Sequence, residues 1–389
     1  MKNNYALYVT SFPPEKYRRP IFASRALRTI GLNTKILLGW DAVRKLRLNR
    51  VLKGTNFLPK PLNWLTRDLI YENSLFTTIP RDNNLVCCIN LNILGVVSER
   101  IALRCNTPLI IDCQDVTLQD DASLPLYDRE MIRMADAVIF TSKVLKALIE
   151  KQYPKILKRS TYVPFGIDLA KFDEVYKNVK AEYFLNEYSI KNNVILTYSG
   201  AAYFWGEREG QGLQLLIKAA SIITKEKPEI KIILQGAASP KTFAWSWLQN
   251  EILRNNLKDK IILIPSLHPF HPLRMSLFKA SKILLLPIGD ILGTYYAEQQ
   301  KLFEYMSTSK PIVMVATPAR LSILDHSSAY IAYKKDPEEF AYQVINALEE
   351  PEEAEAKGIR ARRIIEEKYD WSKLIPQYAH FISSVIEVN

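Results

Sequence analysis

Cysteine is scarce. The 389 residues hold four, Cys87, Cys88, Cys105 and Cys113, and none forms a C-x-x-C pair. A chain of this length buries a core without covalent staples. All four lie in or beside apolar stretches, which reads as buried thiols in a reducing, cytoplasmic compartment. Histidine is as rare, and His268, His271, His326 and His380 all fall in the second half of the chain, which gives no support to a Ser-His or Cys-His nucleophile. No H-E-x-x-H and no Cys/His cluster argues for a catalytic metal. The phosphate-binding G-x-x-x-x-G-K-[ST] and G-x-G-x-x-G patterns are missing, as is any Asp-x-Asp pair. Long apolar runs are lacking too. The longest candidate, 85–97 "LVCCINLNILGVV", contains Asn90 and Asn92 and falls short of the roughly 20 residues a membrane span needs. The opening "MKNNYALYVTSFPPE" has no apolar core of signal-peptide length.

What remains is a globular composition, 48% hydrophobic and 24% charged, with a length that predicts two domains. The formal charge of +11, from 52 Lys+Arg against 41 Asp+Glu, suits an anionic partner: a phosphorylated substrate, an anionic membrane face or nucleic acid. The basic residues concentrate in 40–70, where Arg44, Lys45, Arg47, Arg50, Lys53, Lys60 and Arg67 interleave with Trp40, Phe57, Leu58, Leu62, Trp64 and Leu65. That mixture has two readings, a peripheral contact with a membrane face or lipid substrate, and a solvated basic helix packing its apolar side inward.

Strand-like and helix-like segments alternate. Compact apolar strands are predicted at "YALYVTSF", "NTKILLGW", "LVCCIN", "PLIIDCQD" and "DAVIFTS", with amphipathic helices at 21–31 and 143–153. After a polar, poorly patterned stretch at 168–192 the alternation restarts with "VILTYSG", "KIILQGA", "KIILIPS", "KILLLPIG" and "PIVMVA". Such alternation predicts parallel sheets with helices on both faces, here in two Rossmann-like halves.

The second half carries the chemistry. In 194–220 a strand is followed by a loop with Gly200, Gly206, Gly210 and Gly212, then a helix, a context in which backbone N–H groups and a helix start attract phosphate. A second strand ends at Gly236. A third ends at Pro287 and leads, past Gly289 and Gly293, into a helix expected to begin near Ala297. Ligands of open parallel sheets sit outside the carboxyl ends of the strands. Glu304, inside that helix, is placed to accept hydrogen bonds from a ribose diol. The plainer reading pairs it with Lys301 one turn earlier.

Five stretches, in order, resemble the retaining glycosyltransferases of the two-Rossmann GT-B fold, the large "glycosyl transferases group 1" (family 4-like) family. "DAVIFTSKVLKALI" resembles the family's "ADAVIAVSEALKRLL", and "YVPFGIDLAKF" its "VPNGVDLEKF". "LTYSG…EGQGLQLLIKAA" is similar to "YVGRL…KGVDLLIEAF", and "KLFEYMSTSKPIV" to "KLFEYMASGKPIV". "ARRIIEEKYDWSKL" resembles the segment before the family's last helix. The resemblance implies an α/β fold of two Rossmann-like domains facing a central cleft. The first, acceptor domain spans 1–170 and takes back a C-terminal helix near 372–389. The second, nucleotide-sugar donor domain spans 190–371. It implies a nucleotide-diphosphate sugar as donor substrate, no cofactor and no metal. Donor contacts are expected from Gly200, Ala201, Ala202, Arg208, Gly236, His268, Tyr296, Ala297, Glu298, Gln299, Gln300, Lys301 and Glu304. Arg19, Asp112 and Asp115 are the acceptor candidates, with Arg208, Lys301 and Asp112 as candidates for a catalytic part.

The chain departs from the family at three points. Ala201 replaces the family's Arg, Gln211 its Lys, and Tyr296 the first of two glutamates. The implied function is transfer of a sugar, with retention, to a glycan, lipid-linked or small-molecule acceptor, in the cytoplasm or peripherally at its membrane face. Two other classes stand beside it. One is a nucleotide-sugar-binding subunit without transfer, which the departures would suit. The other is a basic nucleic-acid-binding protein, for which no interleaving of aromatic and basic residues forms a known module.

Overall fold

The computed structural model describes residues 4–10, 18–38, 84–91, 96–114, 118–155, 157–190, 192–202, 204–205 and 208–387. The basic segment 40–70 and Asp115 lie outside them. The chain divides into two compact units, Met1–Pro164 with Ser372–Asn389, and Phe165–Trp371. Among the described residues no helix is long and apolar enough to cross a membrane.

The first unit holds a six-stranded sheet in the order β2-β1-β3-β4-β5-β6. The strands are β1 Tyr5–Thr10, β2 Asn33–Leu38, β3 Leu85–Leu91, β4 Leu109–Cys113, β5 Ala137–Phe140 and β6 Ser160–Tyr162. All pairs are parallel, in registers such as Tyr8↔Ile36 and Ile110↔Ala137. β1 and β4 are buried along their whole length, as strands covered by helices on both faces must be. Cys87, Cys88 and Cys113 are buried, and desolvation pushes the Cys87 thiol up to about 12. The helix Lys143–Gln152 starts at Ser142, whose hydroxyl accepts from Leu145 N at 3.2 Å, a side-chain cap of the usual kind. The last helix, Trp371–Ile386, completes this unit. Its Tyr378 ring stands edge-on to Phe22 of the helix Arg19–Thr29, with centroids 5.4 Å apart.

The second unit holds β7 Val194–Ser199, β10 Ile230–Gln235, β11 Ile261–Ile264, β12 Ser281–Leu286, β13 Ile312–Val315 and β14 Tyr330–Ala332. Their order is β11-β10-β7-β12-β13-β14, again all parallel. Counted within the unit this is 3-2-1-4-5-6, the Rossmann order, with its topological switch between β7 and β12. There the hydroxyls of Thr197 and Ser281 pair at 2.7 Å inside the sheet. A two-stranded hairpin, β8 Phe204–Trp205 and β9 Arg208–Glu209, follows β7. Two Rossmann-like units and a last helix that returns to the first agree with the expected fold class.

Two elements differ from expectation. The polar stretch 168–192 is helical, as Leu169–Asn178 and Ala181–Glu187. Asp168 caps the first, and Phe172 and Phe184 anchor the pair in the core. The helix carrying Glu304 starts at Gln300, not near Ala297, after a short separate helix, Leu292–Tyr296. Within the second unit, its first and last residues are tied to each other by hydrogen bonds. Ile167 N donates to Tyr369 O at 3.0 Å, Trp371 N to Ile167 O at 2.9 Å, and Trp371 Nε1 to Phe165 O at 3.1 Å.

Candidate active site

The carboxyl ends of β7 and β12, with the helix Gln300–Ser307, converge at the switch point of the second unit. This helix packs Leu302, Phe303, Tyr305 and Met306 into the core. Glu304 is drawn in with them, 5% exposed. A carboxylate at that depth needs a partner. The partner is Arg274 on the helix Pro272–Ala280, whose Nη2 donates to Glu304 Oε2 at 2.5 Å. Pairing with Lys301, the plainer expectation, is not what the geometry shows.

Arg274 also donates from Nε to Ser199 Oγ and Gln235 Oε1, both at 3.2 Å, and from Nη1 to Pro269 O at 2.9 Å. The Ser199 hydroxyl donates to Gln235 Oε1 at 2.6 Å. Ser199 N in turn donates to the Tyr305 phenol at 2.7 Å. These side chains lock the ends of β7 and β10 to the helix of Glu304.

Lys301, partly buried, turns the other way. Its Nζ donates to Tyr198 OH at 2.8 Å and to Gln211 Oε1 at 2.6 Å and lies 4.5 Å above the Tyr198 ring. Burial lowers its pKa to about 7, aided by the Arg320 charge and opposed by Glu209 and Glu304. Burial likewise lifts the Tyr198 phenol well above its ordinary value, so at neutral pH the hydroxyl accepts from the ammonium as a neutral group. A Cβ at Gly200 would stand 2.6 Å from Lys301 Nζ, so a larger residue there would displace the ammonium. Arg320 donates to the carbonyls of Leu286, Val315 and Pro287 and to Gln299 Oε1. It fastens the end of β12 to the turn before Gln300. Burial pulls it down to about 9, still protonated at neutral pH.

The start of the helix Leu213–Glu226 is not open to an anion. Glu209 fills it, accepting from the backbone N–H of Gln211 at 2.6 Å, Gly212 at 2.7 Å and Leu213 at 2.8 Å. This corrects the expectation that the glycine loop offers its helix start to phosphate, because an internal carboxylate already takes that place. Ala297 N is likewise engaged, donating to Gly293 O at 3.1 Å.

The other expected donor residues distribute as follows. Gly200, Gln299, Gln300, Lys301 and Glu304 gather at the switch point. Ala201 is exposed and Ala202 partly so just beyond β7, and Ala202 N donates to Ala237 O at 2.5 Å, past Gly236. Glu298 is buried, Tyr296 partly buried, and Arg208 exposed on the hairpin. His268 is exposed and its Nδ1 accepts from Phe270 N at 3.2 Å, while His271 caps the helix of Arg274.

In the first unit, Arg19 and Asp112 face each other. Arg19 Nε and Nη2 contact both carboxylate oxygens at 3.0–3.1 Å. Tyr8 and Tyr378 add phenolic donors at 2.9 and 3.3 Å. The two charged side chains are 1% and 0% exposed. Neither offers surface to an acceptor, since both are buried and Arg19 also donates to the carbonyls of Val163 and Pro164.

Sequence reasoning did not single out Ser199, Tyr198, Glu209, Gln235 or Arg274. Arg274 had one signal, a lone cation among Leu273, Met275, Leu277 and Phe278. Among the described residues no group of three or more acidic, His or Cys side chains could hold a metal ion.

Residues 195–350 match the sequence profile of the family described as "Glycosyl transferases group 1". No protein of curated function matches the sequence. Several solved structures share the fold across the chain. A glycosyltransferase from Rickettsia africae superposes with a TM-score of 0.72 at 13% identity, covering 100% of both chains. Anabaena Alr3699/HepE, solved with UDP and glucose, gives 0.70 at 12%, covering 98% of this chain and 100% of that one. The E. coli trehalose-6-phosphate protein bound with UDP-2-fluoro glucose gives 0.69 at 13%, over 99% and 100%.

Proposed function

Because residues 195–350 match the profile of the glycosyl transferases group 1 family, we propose that this chain is a member of it and transfers a sugar from a nucleoside diphosphate sugar. The proposed acceptor is a glycan, a lipid-linked sugar or a small molecule, and the transfer proceeds with retention and without a metal. The observation that carries this reading is the buried Glu304 carboxylate at the switch point, fixed by Arg274 2.5 Å away and flanked by Lys301. A carboxylate there accepts from the ribose diol, and the ammonium faces the diphosphate. UDP is the first nucleotide to test, since HepE and the E. coli trehalose-6-phosphate protein were solved with UDP or a UDP sugar.

In the proposed reaction the bond between the sugar carbon and the diphosphate oxygen breaks as the acceptor oxygen attacks from the same face. The acceptor proton passes to the leaving phosphate. Lys301 offsets charge that grows on the diphosphate, the kind of interaction that favours the transition state over the ground state. No side chain is assigned as nucleophile.

The test is a panel of nucleotide sugars read by thermal shift. A true donor at a hundredfold its Kd stabilises the fold by about 2.7 kcal/mol, and Glu304→Ala removes that shift. If no nucleotide sugar moves the melting point, the donor-site reading is wrong. A second reading, donor binding without transfer, draws on Ala201, Gln211 and Tyr296, where the family carries Arg, Lys and Glu. Sugar transfer that Glu304→Ala abolishes excludes it.

A further inference from the structure

We infer that Arg274 is the positioning residue of the nucleoside half of this site, holding the Glu304 carboxylate and the segment 265–269 in one frame. The inference rests on the donor-site reading above and extends it to a residue outside the matching motifs.

Arg274 is 6% exposed, and every one of its guanidinium nitrogens donates. Nε reaches Ser199 Oγ and Gln235 Oε1, Nη1 reaches Pro269 O, and Nη2 reaches Ser199 Oγ at 3.1 Å and Glu304 Oε2. Gln235 then returns its own amide to Pro265 O at 3.2 Å. The segment 265–269 is therefore held at both ends by a single polar network, from Gln235 at Pro265 and from Arg274 at Pro269. One face of the guanidinium lies 4.8 Å above the Phe278 ring, which fixes its plane.

A buried ion pair serving stability alone is often matched by apolar residues of similar size. This one does more than neutralise charge. A planar fork satisfies acceptors from the end of β7, the end of β10, a loop and a second helix, a task an ammonium cannot perform. The result is a carboxylate held in one rotamer before a ligand arrives, so that little ordering cost remains on binding. The same frame sets the distance from Glu304 to the 265–269 loop, the span a ribose and its base would occupy.

The test compares binding of UDP and 2′,3′-dideoxy-UDP to the full chain by calorimetry. The wild type should prefer UDP by about tenfold or more, as expected for hydrogen bonds to a charged acceptor, and Glu304→Ala should bring the ratio close to one. Arg274→Gln should do nearly the same, whereas Arg274→Lys, which keeps the charge but not the fork, should retain part of the preference. A purely structural arginine would weaken both ligands equally and leave the ratio intact. An unchanged ratio in a cooperatively melting Arg274→Gln therefore overturns the inference. Should Arg274→Gln not fold, Ser199→Ala decides, since it removes one acceptor of the fork. A lowered ratio supports the inference and an unchanged one overturns it. A wild type without preference removes the ribose reading of Glu304, and this inference with it. A preference lost in Glu304→Ala but kept in both Arg274→Gln and Ser199→Ala sinks this inference alone.

Discussion

Lys301 shows how much of a site depends on single atoms. Its contacts, a phenol and an amide, are both neutral, and its pKa stands near 7. An anionic ligand group restores the proton. UDP affinity, taken relative to Lys301→Met, should therefore fall as pH rises from 6.5 to 8.5, while the variant's own profile lacks that component. Stability runs the other way. The unfolded lysine titrates near 10.4, so between about pH 7 and 10 the unfolded chain binds more protons. The ligand-free wild type should then gain stability relative to Lys301→Met across that range, read as melting temperature against pH. Gly200→Ala probes the same point from the backbone. The new methyl would meet the flexible end of Lys301 and, at 3.2 Å, the Tyr198 hydroxyl, so nucleotide binding should weaken while the melting point moves little. Glu304 was legible in the sequence because it sits inside a motif. Arg274 was not, because a contact across 30 residues and two helices is made by the tertiary fold alone.

The β7–loop–helix element is built around Glu209 and Gly212. Gly212 has φ +82°, and a Cβ there would stand 2.4 Å from the backbone N of Ile288. Gly212→Ala combines left-handed strain with a backbone collision, so a loss of about 2 kcal/mol or more is expected in denaturant titration. Glu209→Ala strands three helix-start amides and should cost roughly 1–2 kcal/mol. Strand after strand was readable here, since runs such as "KILLL" admit few alternatives when buried on both faces. The helices at 169–187 escaped because the sparse anchors Phe172 and Phe184 give weak periodicity. The start at Gln300 escaped because the turn 297–299 is shaped by Arg320 and Gln211, residues distant in sequence.

At the scale of the whole molecule, the first unit depends on both ends of the chain. Arg19, Asp112, Tyr8 and Tyr378 form one buried cluster. Asp112→Ala leaves Arg19 charged and enclosed and should cost about 3–5 kcal/mol, measured by chemical denaturation. The second unit is one uninterrupted stretch. Residues 165–371 expressed alone should melt cooperatively, whereas 1–164 without 372–389 should not. The two-unit α/β architecture was legible from the alternation of segments and the resemblance. The Arg19–Asp112 pairing was not, because from sequence both looked like polar residues at strand and loop ends, free to meet a ligand.

The interrupted layout of the first unit, residues 1–164 with 372–389, gives the molecule a direction in time. A ribosome delivers Phe165–Trp371 as a finished stretch while the first unit still waits for Tyr378. Residues 1–164 are made well before the helix Trp371–Ile386 that packs with them. The second unit is thus the first whose residues are all made, and the first unit is the later to be completed.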